Sequence, residues 1–264
     1  MMKKNILKYV LLSMTFFLGA CNDFFNVETK NVLDHDGYIT EESEMYSGYI
    51  GIMTKVQAIG DKVIYLTDTR GELLEPTKNA PSELYSIYNY DTDLTGNSYA
   101  DPAAYYDVII ACNDYLSKLY DYKTENPAAI NLDHYKALVS CTLRVKAWIY
   151  LTLGKIYGEA VWFNEPIREM KDLNDFPVKN LVEGCLDLLT KGFDGIDGTN
   201  TMSWEEWLDP DTETAESTYR YWDYMTPEFF ALYGELCLWH GDYQKTVNVI
   251  LNTMNAKFAS TVND

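Results

Sequence analysis

Basic residues are scarce in this chain: 21 Lys and Arg stand against 40 Asp and Glu, a net charge of −19. So acidic a surface repels phosphate backbones and anionic headgroups, which argues against nucleic-acid partners and against charge-driven adhesion to a bilayer. Histidine is scarcer still: His35, His134 and His240 lie far apart, with no HExxH or other ligand spacing. No GxSxG, P-loop or dinucleotide fingerprint occurs. Asp209, Asp211 and Glu213 hint at a calcium loop, but its sixth position holds Thr214 where Gly is needed and its twelfth Arg220 in place of Glu. Glycoside hydrolysis needs two positioned carboxylates, and among 40 acids a pair such as Glu205 and Glu206 arises by chance. Nothing here calls for an enzyme, a metal or a cofactor.

The chain also lacks an apolar run long enough to span a bilayer. Its N-terminus has Lys3, Lys4 and Lys8, then a short apolar run from Tyr9 to Leu18, then Leu18-Gly19-Ala20-Cys21. This pattern is a signal peptide over residues 1–20 that ends in a lipobox. Cys21 is then the first mature residue and the lipid anchor, and several acyl chains hold a protein at a membrane where one does not. Cleavage removes three Lys and no acid, leaving 18 basic and 40 acidic residues and a net charge of −22. The remaining cysteines, Cys112, Cys141, Cys185 and Cys237, form no CxxC and sit in apolar helical patterns. Buried thiols fit that spacing, with disulfides chemically open outside the cytoplasm.

What is present is a large apolar and aromatic content: 47% hydrophobic residues and 22 Tyr. The chain is organised around residues 132–167. Tyr135, Leu138, Val139, Thr142, Val145, Ile149, Leu153 and Ile156 recur at helical steps, with Asn131 as N-cap and Gly158 as stop. The helix they predict is about 26 residues, or roughly 39 Å, long. Leu143, Ala147, Trp148, Tyr150 and Leu151 lie off that stripe, so the helix is buried by several neighbours.

Before it, residues 22–38 read as an extended tether. Thr40 caps a helix that stops near Ala58 or Gly60, and residues 61–102 are irregular. Within them Asp68 to Glu72 form a charged turn, read as an Arg70–carboxylate pair holding the loop. Pro102 opens a helix over 103–122 with Tyr106, Ile109, Ile110, Asn113, Leu116, Leu119 and Tyr120 on its buried side. After the central helix, 159–178 is a connection, Lys179 to Phe193 a helix and 194–225 a loop. Thr226 caps a helix that has Pro227 at its first position and Glu228 in its first turn and runs to Trp239, and Asp242 caps another from Tyr243 to Met254. The expected fold is mainly α, with antiparallel helix pairs of tetratricopeptide type, long irregular loops and little or no sheet.

Four stretches carry a resemblance to a known family. Cys21-Asn-Asp-Phe-Phe-Asn-Val is similar to a Cys-x-Asp-x-Leu-Asp-Val start. Tyr106 to Asn113 resembles a Tyr-x-x-Ile-x-x-x-Asn helix. Leu143 to Trp148, continuing through Tyr157-Gly158-Glu159-Ala160-Val161, resembles an LRA…YG.VP signature, with Val145-Lys146 between Arg144 and Ala147. Leu236 to Tyr243 resembles a tetratricopeptide turn, with small residues at Gly234 and Thr246. In this order they resemble the SusD/RagB family of outer-membrane nutrient-uptake lipoproteins.

The resemblance implies a cell-surface, lipid-anchored protein that binds an oligosaccharide and delivers it to a TonB-dependent outer-membrane transporter, without catalysis. It makes residues 39–264 a SusD-like helical domain without the family's C-terminal region. Sugars present C–H faces and a hydroxyl rim, which suit rigid aromatics backed by polar side chains. Two loops have that mixture: Tyr85, Tyr88, Tyr90 and Asn97 in the first, Trp204, Trp207, Tyr221 and Trp222 in the second. The family's aromatic contacts commonly come from the loop before the 103–122 helix, which favours the first. The alternative is a helical scaffold that binds a protein or peptide and no glycan. Cys21→Ser is expected to abolish acylation and move the protein from the membrane to the soluble fraction, checked by labelling with a palmitate analogue.

Overall fold

The computed structural model describes residues 39–128, 131–169, 176–184 and 225–262; the expected signal peptide, Cys21 and tether lie outside them, as does 185–224. The elements run α1 (Glu42–Thr67), α2 (Ser82–Tyr88), α3 (Ala103–Glu125), α4 (Leu132–Tyr157), β1 (Glu159–Val161), β2 (Val178–Asn180), α5 (Phe229–His240) and α6 (Tyr243–Val262). The fold is mainly helical, with little sheet.

Helix α4 starts and stops where its residues direct. The Asn131 side-chain oxygen accepts the His134 N–H at 3.3 Å, and Gly158 takes φ +83°. From Ala137 to Ala147 every side chain is buried, Ser140, Thr142, Arg144 and Lys146 included. Helix α3 packs antiparallel to it: Lys123 lies 4.7 Å over the Tyr135 ring at one end, and Tyr105 meets Tyr157 edge-on at 6.2 Å at the other. The deepest face of α3 is Tyr105, Val108, Ile109, Cys112, Leu116 and Leu119, while Tyr106, Ile110 and Tyr120 are only partly buried.

Helix α1 completes a three-helix bundle. Its first turn meets the start of α4, where Glu42 Oε1, the Tyr46 hydroxyl and His134 Nδ1 lie 2.6 Å from one another. Burial raises the Glu42 carboxyl, but the bonds from Tyr46 and His134 outweigh it and hold the group below the usual range. The cap is Glu41, not Thr40: the Glu44 carboxylate reaches back to the N–H groups of Thr40 and Glu41, at 2.6 and 3.2 Å. Gly60 does not stop α1. Met45, Tyr49, Ile52, Val56, Ile59, Val63 and Leu66 form one inward stripe that runs past it. A mid-helix Gly costs about 1 kcal/mol, and burying Val63 and Leu66 is worth more.

Two further differences lie after α4. Lys179 is in β2, which pairs antiparallel with β1 through Ala160 and Lys179. The helical turn begins at Leu181, because Asn180 and Glu183 form a reciprocal capping pair at 3.0 and 3.3 Å. The strap of residues 162–169 crosses α3 and α4. Tyr106 accepts the Val161 N–H at 2.9 Å, and the Asn113 amide donates to the carbonyls of Phe163 and Glu165, each at 3.3 Å.

Glu228 caps α5, accepting the Ala231 N–H at 2.7 Å, while the Thr226 hydroxyl is buried against that of Tyr49. Gly241, at φ +96°, closes α5, and Asp242 Oδ1 caps α6 at 3.0 Å. The small residues Gly234 and Thr246 face each other, the hydroxyl donating to the Gly234 carbonyl at 3.4 Å. Helix α6 continues to Val262, past the expected end at Met254.

Gly154 brings α4 against the turn after β2. A Cβ there would lie 2.7 Å from Leu181 Cδ1 and 3.3 Å from its Cα. Crowding of about 1–3 kcal/mol exceeds the roughly 1 kcal/mol of helix propensity that Ala gains. Gly154→Ala is expected to lower stability by about 1 kcal/mol, or about 2–4 °C in Tm, measured by calorimetry.

Candidate functional site

Two helix ends meet beside the C-terminus of α4. After α1 the chain turns through Asp68–Gly71, and Glu72 takes φ +60° as the N–H of Leu73 returns to the Asp68 carbonyl at 2.9 Å. Helix α2 ends the same way. Tyr90 takes φ +60°, its N–H bonded to Ile87 and that of Asp91 to Ser86, at 3.1 and 3.0 Å. This closing motif ordinarily has Gly at the left-handed position, and an L side chain there costs about 1–2 kcal/mol.

What holds Tyr90 in place is a reciprocal tie. Its hydroxyl donates to the Arg70 carbonyl at 2.5 Å, and Arg70 Nη2 donates to the Asp91 carbonyl at 3.0 Å. Arg70 thus binds backbone rather than the carboxylate expected of it. Its Nε is buried, with no hydrogen-bond partner among the described residues.

The tie forms one wall of a cleft of about 690 Å³ that also takes in Leu66, Asp91, Lys155 and Tyr157. Tyr90 is 51% exposed there. Lys155 pairs with Glu235 of α5 at 2.7 Å. The Tyr157 hydroxyl donates to the Ala100 carbonyl at 3.1 Å, and burial drives its pKa well above the ordinary tyrosine value, so it stays a neutral donor. A ring, a guanidinium with spare N–H groups and an acceptor carboxylate are the groups that grip a hydroxyl-rich ligand.

Of the sequence candidates, Tyr90 lines this cleft. Tyr85 and Tyr88 are partly buried on α2, with the Tyr85 hydroxyl donating to the Thr77 carbonyl at 2.9 Å. Asn97 is buried and holds the loop: its amide donates to the Glu83 carbonyl at 2.9 Å and accepts the Tyr99 N–H at 3.0 Å. Trp204, Trp207, Tyr221 and Trp222 lie outside the described residues, as do the calcium-like acids at 209–213. Arg70 was visible in the sequence as a charged turn; Asp91, Lys155 and Tyr157 carry no local signal and are brought in by the fold.

Among the described residues no three His, Cys, Asp or Glu side chains converge as metal ligands, and no helix is long and apolar enough to cross a membrane. Cys112, Cys141 and Cys237 are buried thiols; Cys185 lies outside the described residues. No protein-family profile, curated protein or solved structure matches the chain.

Asn97→Ala removes the amide bond to the Glu83 carbonyl and leaves the Tyr99 N–H without its side-chain acceptor. A loss of about 1–2 kcal/mol is expected in urea titration, because the side chain acts on the loop rather than on a ligand.

Proposed function

We propose that this is a lipid-anchored surface protein of SusD/RagB type, which binds an oligosaccharide in the cleft beside Tyr90 and passes it to a TonB-dependent transporter without breaking a bond. The cleft is the observation that carries the reading. It joins an exposed, conformationally strained tyrosine to Arg70 and Asp91, and strained backbone concentrates at ligand sites. The family assignment is supported by two of the resembling stretches touching each other. Tyr106 and Asn113 of one hold the backbone of Val161, Phe163 and Glu165, where the other ends and runs into the strap.

A second reading, a scaffold for a protein or peptide, is favoured by the α5–α6 hairpin. Phe230, Leu238, Ile250 and Met254 are 40–49% exposed along a groove of about 450 Å³, the form of site that takes an amphipathic helix.

Tyr90→Gly separates ligand binding from folding. Relief of about 1–2 kcal/mol of left-handed strain offsets the lost hydroxyl bond, worth about 1 kcal/mol, so Tm is expected to stay within a few degrees. In affinity gels the wild type is expected to be retarded by at least one polysaccharide of a panel, and the variant several-fold less. No retardation by any polysaccharide, together with capture of one protein partner through the α5–α6 groove, would reverse the ranking.

A further inference from the structure

Beneath the strap lies a charge-bearing side chain that the cleft does not use. Lys146, in the middle of α4, is 2% exposed, and its Nζ donates to Asn164 Oδ1 at 2.7 Å. The strap residue it meets is exposed. The other ties here are bonds between neutral groups: Tyr150 donates to the Phe163 carbonyl at 3.1 Å and accepts the Phe163 N–H at 3.2 Å, beside the Asn113 amide already described. Trp162 stacks on Tyr150 with centroids 4.1 Å apart. At the far end Arg168 pairs with Asp114 at 3.0 Å.

The groups facing the amine come from each packed element. Helix α3 supplies the buried thiol of Cys112, pushed up to about 12 by burial. Helix α4 itself supplies Tyr150, raised further by burial. Among the described residues, the strap supplies a carboxylate, Glu165. It favours a charged amine, but it is exposed and its carboxylate accepts the Asn164 N–H at 3.1 Å. Burial therefore dominates.

We propose that Lys146 makes the strap a proton-responsive latch, closed over a neutral amine and released when the amine takes up a proton. The route to water is short: lifting Asn164 exposes the ammonium while the three-helix bundle stays packed. Burial pulls the Lys146 pKa down to about 7 from 10.5. The sign follows from linkage. Between about pH 10 and about 7 the open state holds one more proton than the closed one, so opening becomes about tenfold more frequent per unit fall in pH and levels off below. The latch is independent of any glycan.

The test is hydrogen exchange across that pH range, corrected for intrinsic rates, with the Phe163 amide as reporter and the amides of Leu143 and Ile149 as the bundle reference. In the wild type, Phe163 is expected to exchange faster than the bundle amides, with the tenfold slope; in Lys146→Met the slope is expected to vanish. Exchange of Phe163 only in step with the bundle, a flat wild-type profile, or an unchanged slope in Lys146→Met would each overturn the latch. Asn164→Ala keeps the lysine and alters an exposed position, so it does not depend on the Met variant folding. It is expected to make Phe163 open several-fold more often with the slope retained, and unchanged protection would count against the latch.

Discussion

Helix α4 is buried all round from Ala137 to Ala147, and most of the polar side chains it carries there find partners, the Ser140 hydroxyl being left without one among the described residues. Unpaired, each would cost about 1–3 kcal/mol or more. The partners it recruits decide where the neighbouring segments lie. Arg144 donates to the Pro227 carbonyl at 3.1 Å and to Cys141 Sγ at 3.3 Å, which places the entry to α5. Lys146 and Tyr150 reach Asn164 and Phe163, which place the strap. Thr142 turns back to the Leu138 carbonyl at 2.7 Å and needs no outside partner. Apolar burial assembles α1, α3 and α4; the polar residues of α4 fix what is laid across them.

The cleft arises at the opposite kind of place, where helices end. Terminal backbone groups and tight turns leave carbonyls facing sideways, and here those of Arg70, Asp91 and Ala100 are each taken by a side chain from another segment. Such a mesh of side chain to backbone needs no packed core beneath it. It holds an open concavity next to the three-helix bundle, with the cation Arg70 supplied by the turn after α1 and the ring of Tyr90 and the anion Asp91 by the end of α2.

Much of the helical frame was legible in the amino-acid order. The stripe of α4, its Asn131 cap and its Gly158 stop appear where local rules put them. Local rules fail where a single residue stands against a longer pattern. Gly60 looked like a terminus, yet the inward stripe continues through it. Thr226 and Thr40 looked like caps, but a neighbouring Glu does the capping in each case. The Thr226 hydroxyl is recruited by Tyr49, 177 positions away, which no local rule can see. The β1–β2 pair and α2 are too short to show periodicity. The cleft was only partly readable: Tyr90 could be nominated from its type, but Lys155 and Tyr157 join it because α4 ends beside α2.

Position 90 has a consequence for how the chain would drift. At a left-handed site the backbone prefers glycine, so selection for thermal endurance alone has little reason to keep a ring there, whereas selection for capture does. A mutagenised library sorted by heat and one sorted by ligand retention should part company at this codon while agreeing across the interior of α4. Divergence of that kind would label the tyrosine as retained for its outward face rather than for the architecture beneath it.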